Sequence, residues 1–437
     1  MKLRLKLLTL SLFSLTLQLR AQNIVPISQD EVMEVVQRNS ATLKIAEQKF
    51  LQARADYRQS NAVFLPNISA SHTGIATTNP LAAFGVKLNQ QIVTQRDFNP
   101  DFLNNPSQIE NYTTRVEFQQ PLVNMDGLYQ RKAASATMQA VSYQKERTAH
   151  ALALEVRKAY MQLQLAYKGV DVMEKTLKTV LENKRISEDR LAEGYLQPAD
   201  LLNVEVRVAE VRNQLQSAKS QVQNASNFLS YLIGTSQEVL YRPSDSLYVI
   251  EIVSEIDPRV PENRPDLKAQ SLATNARESM VKASKMEFLP ELNAFGSYEL
   301  HDDAAFQGAA GGYLVGAQLS WNLFQGSKRL GKVQKAQAEL QQSKLEYDDY
   351  LAKSQLELNQ AQRYLMDTKQ KLELAELAVG HSAELLRIRT NRYKEGLEKT
   401  ADLLLAETQL AQKQLELYQT IYEYNYAQAV IEFLTKK

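Results

Sequence analysis

The chain of 437 residues repeats itself once, and this repeat restricts the folds that are open to it. The segment Phe-Leu-Pro-Asn-Ile-Ser-Ala at residues 64–70 recurs as Phe-Leu-Pro-Glu-Leu-Asn-Ala at residues 288–294, an offset of 224 residues. Farther on, Arg-Leu-Ala-Glu-Gly at 190–194 recurs as Arg-Tyr-Lys-Glu-Gly at 392–396, and Ala-Asp-Leu-Leu follows both copies, at an offset of 202. Since 224 minus 202 is 22, the first copy holds about 22 extra residues, which we place in a loop at residues 79–111.

The repeat and the local composition predict four segments along the chain. These are a signal peptide at residues 1–21, a first structural repeat at 22–234, a connector or equatorial segment at 235–262, and a second repeat at 263–437. Each repeat is expected to contain a helix, two strands, a long helix and a further helix. The fold is therefore predicted to be built from two similar halves.

The first segment has the features of a secretory signal. Three basic residues, Lys2, Arg4 and Lys6, precede an apolar stretch of 13 residues, and Ala21 is a small residue suited to cleavage. A membrane anchor would need about 20 apolar residues. We therefore expect an exported protein whose mature form carries 47 basic and 50 acidic residues, a net charge of −3.

Composition excludes several classes of function. The 51 Lys and Arg residues are balanced by 50 Asp and Glu, so the basic surface of a nucleic-acid-binding protein is not expected. The absence of Cys excludes disulfides, thiolate metal sites, cysteine catalysis and a lipidated N-terminal Cys. No Walker loop, dinucleotide fingerprint or His-Glu-x-x-His motif is present. The chain has four histidines, His72, His150, His301 and His381, which are far apart and form no triad or metal-ligand spacing. We therefore predict no enzyme activity, no cofactor and no metal site.

Two long stretches have the spacing of a coiled coil. Apolar or small residues recur at alternating gaps of 3 and 4 from Ala149 to Val180 and again from Leu358 to Leu386. The predicted helices, residues 128–193 and 328–395, would each span roughly 100 Å at about 1.5 Å per residue. Shorter helices are predicted at 30–63, 199–233, 264–288 and 400–434. From the heptads alone, a coiled-coil rod remains an alternative.

Between the helices the apolar period falls to two, which indicates strands of about ten residues, enough to cross a bilayer when tilted. Their partner strands are expected at 67–77 and 292–300, where Pro66 and Pro290 end the preceding helices. From the strands alone, a soluble sandwich is equally compatible with this alternation. If the strands lie in a membrane, every second side chain faces lipid. These are Tyr112, Val116, Phe118, Tyr313, Val315, Leu319 and Trp321.

Taken in order, these motifs resemble those of the TolC family of outer-membrane efflux and secretion channels over essentially the whole mature chain. The resemblance rests on the Phe-Leu-Pro strand starts, the junctions at residues 120–124 and 321–326, and the two turns from Glu-Gly to Ala-Asp-Leu-Leu. It implies a mainly α protein with membrane β-structure, in which three protomers form a 12-stranded β-barrel and a periplasmic α-barrel tunnel. Two copies would give eight strands, which side chains nearly fill, whereas twelve leave a lumen.

The resemblance also implies which residues form the tunnel tip. The tip turns, expected to dock a periplasmic adaptor, carry Gly194, Tyr195, Leu196, Asp200, Gly396 and Leu397. The pore constriction is assigned to Asp402 and to Tyr393, which corresponds to a tyrosine that helps to hold the tip closed. Two positions depart from the family pattern: Leu405 replaces a second aspartate and Glu398 replaces a gate arginine. We expect Asp200 to be a turn-stabilising cap away from the lumen.

The sequence therefore predicts a homotrimeric exit duct in the outer membrane of a Gram-negative bacterium. Its expected partners are membrane lipid, a periplasmic adaptor (membrane fusion) protein and an inner-membrane pump of the RND, ABC or MFS type, with no nucleic acid. The alternative is a coiled-coil scaffold of the envelope without a transport role, which has no need of four bilayer-length strands. A diffusion porin would not need helices of this length.

Overall fold

A computed structural model describes residues 24–235, 239–251 and 259–436. The predicted signal peptide at 1–21 lies outside these residues, as do parts of the predicted connector, 236–238 and 252–258. The helices and strands of the described residues include the four long strands and the long helices predicted from the sequence, together with short elements that were not predicted. They are β1 (Ile24–Ile27), α1 (Gln29–Asn39), α2 (Ala41–Gln59), β2 (Asn67–Thr77), α3 (Pro80–Asn89), α4 (Pro100–Asn104), β3 (Ile109–Val123), α5 (Met125–Ala192), α6 (Pro198–Ile233), β4 (Leu240–Pro243), α7 (Pro265–Met286), β5 (Glu291–Asp302), β6 (Ala310–Ser320), α8 (Lys328–Lys394) and α9 (Thr400–Thr435).

The long helices and the strands agree closely with the sequence-based prediction. Helices α5 and α8 contain 68 and 67 residues and begin and end within three residues of the predicted bounds. Two predictions were wrong. The helix expected at 30–63 is interrupted at Ser40, where ψ is 126°, because Ser side chains compete for backbone hydrogen bonds and favour helix ends. The predicted loop at 79–111 contains α3, α4 and the start of β3.

The described residues form two compact units, each drawn from both halves of the chain. The helical unit lies within Met1–Ala46, Lys145–Arg264 and Leu351–Lys437, and the sheet unit comprises Glu47–Gln144 and Pro265–Tyr350. In the helical unit, β1 and β4 pair in parallel beside a core that includes Val32, Val156, Leu163 and Leu229. The division of the chain into sequence repeats stays a prediction.

The heptad seams are buried, as their spacing predicts. On α5 the seam residues Val156, Leu163 and Val180 are fully buried. On α8 the seam alternates large with small side chains, and fully buried Thr368 donates its hydroxyl hydrogen to the carbonyl of Tyr364 at 2.8 Å. Small polar residues are tolerated in this seam because their hydroxyls bond to the helix itself.

The sheet unit contains a four-stranded antiparallel sheet in the order β2-β3-β5-β6. Val116 of β3 lies opposite both Ala70 of β2 and Tyr298 of β5, and Tyr298 lies opposite Tyr313 of β6. Side chains alternate between the two faces of a sheet, so this register collects the predicted lipid-facing residues of β3 and β6 on one face. We call this the apolar face; it carries Ile68, Ala70, Ala76, Val116, Phe118, Leu292, Ala294, Tyr298, Leu300, Tyr313, Val315, Ala317 and Leu319.

The opposite face is polar. We call it the polar face; it carries Ser69, Ser71, Thr73, Asn111, Thr113, Arg115, Glu117, Gln119, Asn293, Ser297, Glu299, His301 and Gln318, with a few apolar residues such as Phe295 and Leu314. Among the helices that the structure describes, none is both long enough and apolar enough to cross a membrane.

Candidate duct wall and tip turns

The sheet separates charge from apolar surface. On the polar face, the guanidinium of Arg115 lies 3.1 Å from Glu117 and 2.8 Å from Glu299, which is 3.4 Å from His301. On the apolar face, Tyr313, Val315 and Leu319 expose 80%, 69% and 67% of their surface. Large apolar side chains exposed this fully mark a surface that meets a lipid or protein partner.

The remaining predicted wall residues lie on or beside the same face. Val116 and Phe118 are exposed, whereas Tyr112 is partly buried and lies with its ring parallel to that of His72, their centroids 6.1 Å apart. Trp321 directly follows β6, and its indole nitrogen donates to the carbonyl of Phe288 at 2.9 Å. A tryptophan anchored in this way at the strand–helix junction has one apolar side and one polar atom, as is typical of membrane-interface positions.

The turns after the two long helices have the same backbone. We call residues 190–200 the first tip and residues 392–402 the second tip. In the first tip, Gly194 has φ of 82° and the amide of Tyr195 donates to the carbonyl of Arg190 at 2.9 Å. In the second, Gly396 has φ of 76° and the amide of Leu397 donates to the carbonyl of Arg392 at 2.9 Å. Both are Schellman motifs, in which Gly adopts the left-handed conformation at little cost.

Tyr393 is the centre of a buried contact between the two helix pairs of the helical unit. Only 1% of its surface is exposed, and its hydroxyl lies 2.8 Å from the hydroxyl of Ser187 on α5 and 3.4 Å from that of Thr400 on α9. The guanidinium of Arg190 covers the Tyr393 ring at 4.9 Å and donates to its carbonyl at 2.9 Å. Tyr393 therefore ties α5 to the second tip within one protomer.

Glu398 is held by two arginines of α8. Its carboxylate accepts from Arg389 at 2.7 Å and from Arg392 at 3.0 Å, and Arg389 also lies 3.7 Å from the carboxylate of Asp402. These four side chains carry two positive and two negative charges. Sequence reasoning noted only that an arginine was replaced by Glu398; it missed that Arg389 and Arg392 supply positive charge at this turn.

The other predicted tip residues differ in exposure. Tyr195, Leu397 and Leu405 are 73%, 65% and 64% exposed, whereas Leu196 is half-buried. Asp200 lies in the first turn of the returning helix, as expected from the sequence, and its turn-stabilising role stays a prediction. The N-cap of α6 is Gln197, and Asp200 lies in the first helical turn, where its backbone amide donates to the carbonyl of Gln197 at 3.0 Å.

A buried carboxylate farther along α9 was missed. Glu407 is 2% exposed, accepts from the side-chain amide of Asn183 on α5 at 3.0 Å, and lies 3.8 Å from Arg207 on α6. Burial raises the pKa of Glu407 to about 7, although Asn183 and Arg207 act in the opposite direction. The signal in the sequence was a Glu four positions after Leu403 and four before Ala411, apolar residues of the same helix that are both buried.

The described residues contain no group of three or more His, Cys, Asp or Glu that could hold a metal ion. The model of the outer membrane efflux protein family matches residues 32–235 and 259–435.

Two curated relatives and one solved structure illustrate the similarity. The cation efflux system protein CusC of Escherichia coli (strain K12) is 21% identical over 401 residues, covering 90% of this chain and 82% of CusC. The alkaline protease secretion protein AprF of Pseudomonas aeruginosa is 21% identical over 355 residues, covering 78% of this chain and 72% of AprF.

A crystal structure of CusC has a TM-score of 0.80 at 17% identity and covers 94% of this chain and 92% of that one. This likeness confirms the predicted fold class of long helices with a small antiparallel sheet. The family match, which extends over most of the chain, confirms the predicted resemblance. The chain belongs to the outer membrane efflux protein family.

Proposed function

We propose that three copies of this chain form the exit duct of a tripartite efflux or secretion system, in the outer membrane of a Gram-negative bacterium. One observation carries the proposal: four antiparallel strands form a sheet with an apolar face, a polar face and two open edges. A four-stranded sheet is too narrow to close on itself around a lumen, whereas three copies supply twelve strands.

The edges support closure between copies. Strands β2 and β6 each have 11 residues, and the outer edge of neither is paired within the part of the chain that the structure describes. Long open edges expose backbone donors and acceptors, which in a membrane must find partners. Pairing β2 of one protomer with β6 of the next satisfies both edges and places the apolar face towards lipid.

The tips support docking of a periplasmic adaptor. Tyr195 and Leu397 each directly follow a left-handed glycine, occupy equivalent positions in the two tips and are largely exposed. Leu196, which follows Tyr195, is half-buried. Apolar side chains at the end of a long helix pair are a suitable surface for a partner protein. The adaptor is proposed to contact Gly194, Tyr195, Leu196, Asp200, Gly396 and Leu397.

The second tip is proposed to form the constriction. Asp402 is a partly exposed carboxylate of this turn, with a side chain 42% exposed, and Leu405 lies in the next helical turn. Threefold symmetry would bring three copies of each around one axis. Tyr393 and Glu398 hold the turn from within the protomer, through Ser187 and through Arg389 with Arg392.

Energy for export is proposed to come from a partner. The sequence holds no nucleotide-binding motif, and the names of relatives refer to an efflux system and to protease secretion. We therefore propose that the duct serves an inner-membrane pump of the RND, ABC or MFS type.

The sheet faces offer a direct test of the duct. We expect Val315→Lys to impair assembly by roughly 2 to 4 kcal/mol, the cost of a lysine on the lipid face at the bilayer midplane. Gln318→Lys is the matched control, because Gln318 lies on the polar face of the same strand. The measurement is the amount of trimer recovered from outer membranes in mild detergent. Equal loss for both variants would contradict the membrane wall.

Crosslinking tests the closure between copies. The chain has no Cys, so an engineered pair is unique. A Cys at Ser69 on β2, combined in turn with one at Leu314, Gly316 or Gln318 on β6, should give covalent trimers for one combination. A Cys at Glu117 on the interior strand β3 should give none with any of the three. Failure of every β2 and β6 combination would contradict the proposed closure.

A further inference from the structure

The extra residues of the first repeat fold into a compact element. We call residues 80–104 the cap; it comprises α3, a 3-10 turn at Gln95–Phe98 and α4. Lys87 pairs with Asp97 at 2.6 Å, and the rings of Phe84 and Phe98 meet edge to face at 5.6 Å. The side chains of Asn79 and Asn99 accept from the first-turn amides of α3 and α4. The cap is therefore a folded element with its own contacts.

The cap is fastened to the polar face. Gln90, which is 6% exposed, donates its side-chain amide to the carbonyl of Glu110 at 2.8 Å and to Asn111 at 3.1 Å. Asn111 in turn donates to Thr113 at 2.8 Å, and Thr113 lies 3.1 Å from the imidazole of His301. Since Asn111 and His301 are 4% and 8% exposed, they are shielded, whereas Ser69, Ser71 and Glu117 of the same face are exposed.

A cleft marks the boundary between the cap and the neighbouring strands. It has a volume of about 340 Å³ and lies between Leu88 and Gln91 of the cap segment and Ser297, Glu299 and Leu314 of β5 and β6. The cap therefore rests on β3 and extends over the polar side of β5 and β6, leaving solvent-sized space beneath it.

The position of the cap along the sheet is determined by its anchors. Glu110 and Asn111 begin β3, whereas the strand–helix junctions lie at the other ends of the strands. In the second repeat only seven residues, 303–309, join β5 to β6, so that hairpin has no such element. The cap thus covers the polar face at the end remote from the long helices.

We propose that the cap is a second constriction of the duct, which limits the size of the solutes that leave it. This inference rests on the proposed function, in which the polar face lines the lumen. Three caps around one axis would narrow the outer mouth. Their free surfaces carry exposed Leu81 (83%) and Phe98 (60%), and an apolar constriction resists wetting and hinders ions.

Thiol labelling from the cell surface tests the cap without depending on the state of the tip. A single Cys at Gln119, on the polar face near the junction end of β3, reports entry through the outer mouth. Intact cells are treated with either a small cationic methanethiosulfonate or a bulky polyethylene glycol maleimide. Replacing residues 80–104 with a short Gly-Ser turn should accelerate labelling by the bulky reagent at least about tenfold, equivalent to about 1.4 kcal/mol of barrier.

Two further variants keep the test decisive. Gln90→Ala leaves the cap in the chain but removes its anchor, so it should raise bulky labelling even if the deletion variant fails to assemble. Exchange of residues 304–308 for Gly and Ser is the matched control and should change nothing. Bulky labelling that is equally fast with the cap intact, deleted or released would overturn the proposal.

Failure of the duct itself has a different signature. If the small reagent labels a Cys at Val315 on the apolar face but not one at Gln119, the polar face does not line a lumen. That outcome would reject the proposed function, whereas fast small-reagent labelling at Gln119 with no effect of the cap rejects only the second constriction.

Discussion

The two tips share a backbone but differ in nearly every side chain that stabilises them. At the offset of 202 residues, Gly194 corresponds to Gly396, and both end a long helix in the left-handed conformation. Around this common turn, Leu191 corresponds to buried Tyr393 and half-buried Leu196 to Glu398, which two arginines hold. The comparison teaches that Gly determines the turn, whereas its neighbours determine what the turn can do.

The same contrast continues one turn farther along the returning helices. Glu205 of α6 is 43% exposed and pairs with Lys184 at 3.0 Å, whereas its counterpart Glu407 of α9 is buried beside Asn183 and Arg207. The first helix pair also supplies Ser187 and Arg190 to hold Tyr393. The first helix pair thus supports the second tip, which carries the charged groups of the proposed constriction.

The largest expected effect on export would come from the apolar surface that the two tips present. Tyr195→Glu or Leu397→Glu should reduce export at least about tenfold, because about 1.4 kcal/mol of lost docking energy suffices for that factor. Export is measured in cells that depend on the variant, and trimers are scored in mild detergent. Tyr231→Glu is the control, since Tyr231 is 74% exposed at the other end of α6. If both tip variants exported normally, docking would lie elsewhere.

The buried carboxylate should make stability depend on pH. The folded pKa of Glu407, about 7, exceeds its ordinary value of 4.5, so the folded state retains a proton that the unfolded state releases. Stability contributed by the protonated group is therefore present below pH 4.5 and lost as pH rises to 7. Glu407→Gln should remove this dependence and stabilise the protein at pH 8 by about 3 kcal/mol, at 1.36 kcal/mol per pKa unit.

The melting temperature, measured by circular dichroism between pH 5 and pH 8, reports this effect. The interval spans most of the titration of Glu407. Glu205→Gln is the matched control in the first repeat, because Glu205 is accessible and paired with Lys184. A wild-type melting temperature that is flat across this interval, or one that Glu205→Gln alone alters, would contradict the asymmetry between the two helices.

The contact at Tyr393 should hold the second tip. Tyr393→Phe removes the hydroxyl that meets Ser187 while keeping the buried ring, and should cost about 1 kcal/mol. We expect a shift of the tip towards open forms by about fivefold, read as channel conductance in planar bilayers. Ser187→Ala should act in the same direction, and the double variant should add little. Additive effects would show that the two hydroxyls act separately.

The smallest expected effect separates the two first-turn aspartates. Asp402→Ala should weaken block by multivalent cations from the periplasmic side by a few-fold, because Arg389 already offsets part of this charge. Asp200→Ala should leave the block nearly unchanged. The readout is the blocking concentration for purified trimers in planar bilayers. If Asp200 controlled the block instead, the roles of the two tips would be reversed.

Much of the fold could be predicted because it depends on local pattern. The 3-4 spacing gave helix bounds within three residues for α5 and α8, and Pro66 with the following alternation gave β2 at residues 67–77. Membership of the outer membrane efflux protein family confirms the predicted channel function and outer-membrane localisation. Family membership therefore favours a channel over the coiled-coil scaffold of the envelope, which the heptad spacing alone did not exclude.

The side-chain contacts at the tips could not be predicted, because they join residues far apart in the chain. Ser187 and Tyr393 are 206 residues apart, and Asn183 and Glu407 are 224 apart. A pattern search can recognise that Glu407 lies between the apolar residues Leu403 and Ala411, but it cannot tell whether a neighbouring helix will supply a side-chain amide to it. The place of Asp200 in the first turn of α6 could be predicted from the sequence, whereas Gln197 as the N-cap of that helix was not anticipated.

The sequence by itself determined the repeat, the long helices, the alternating strands and the glycine turns, because each follows from backbone preferences and apolar spacing within a short window. Four features were decided only by the tertiary structure. They are the strand register that places the apolar side chains on one face, the contacts of Glu398 with two arginines, the burial of Glu407, and the hydrogen bonds of Gln90 to β3. Hydrogen bonding and desolvation depend on which elements lie side by side, and that is a property of the folded chain.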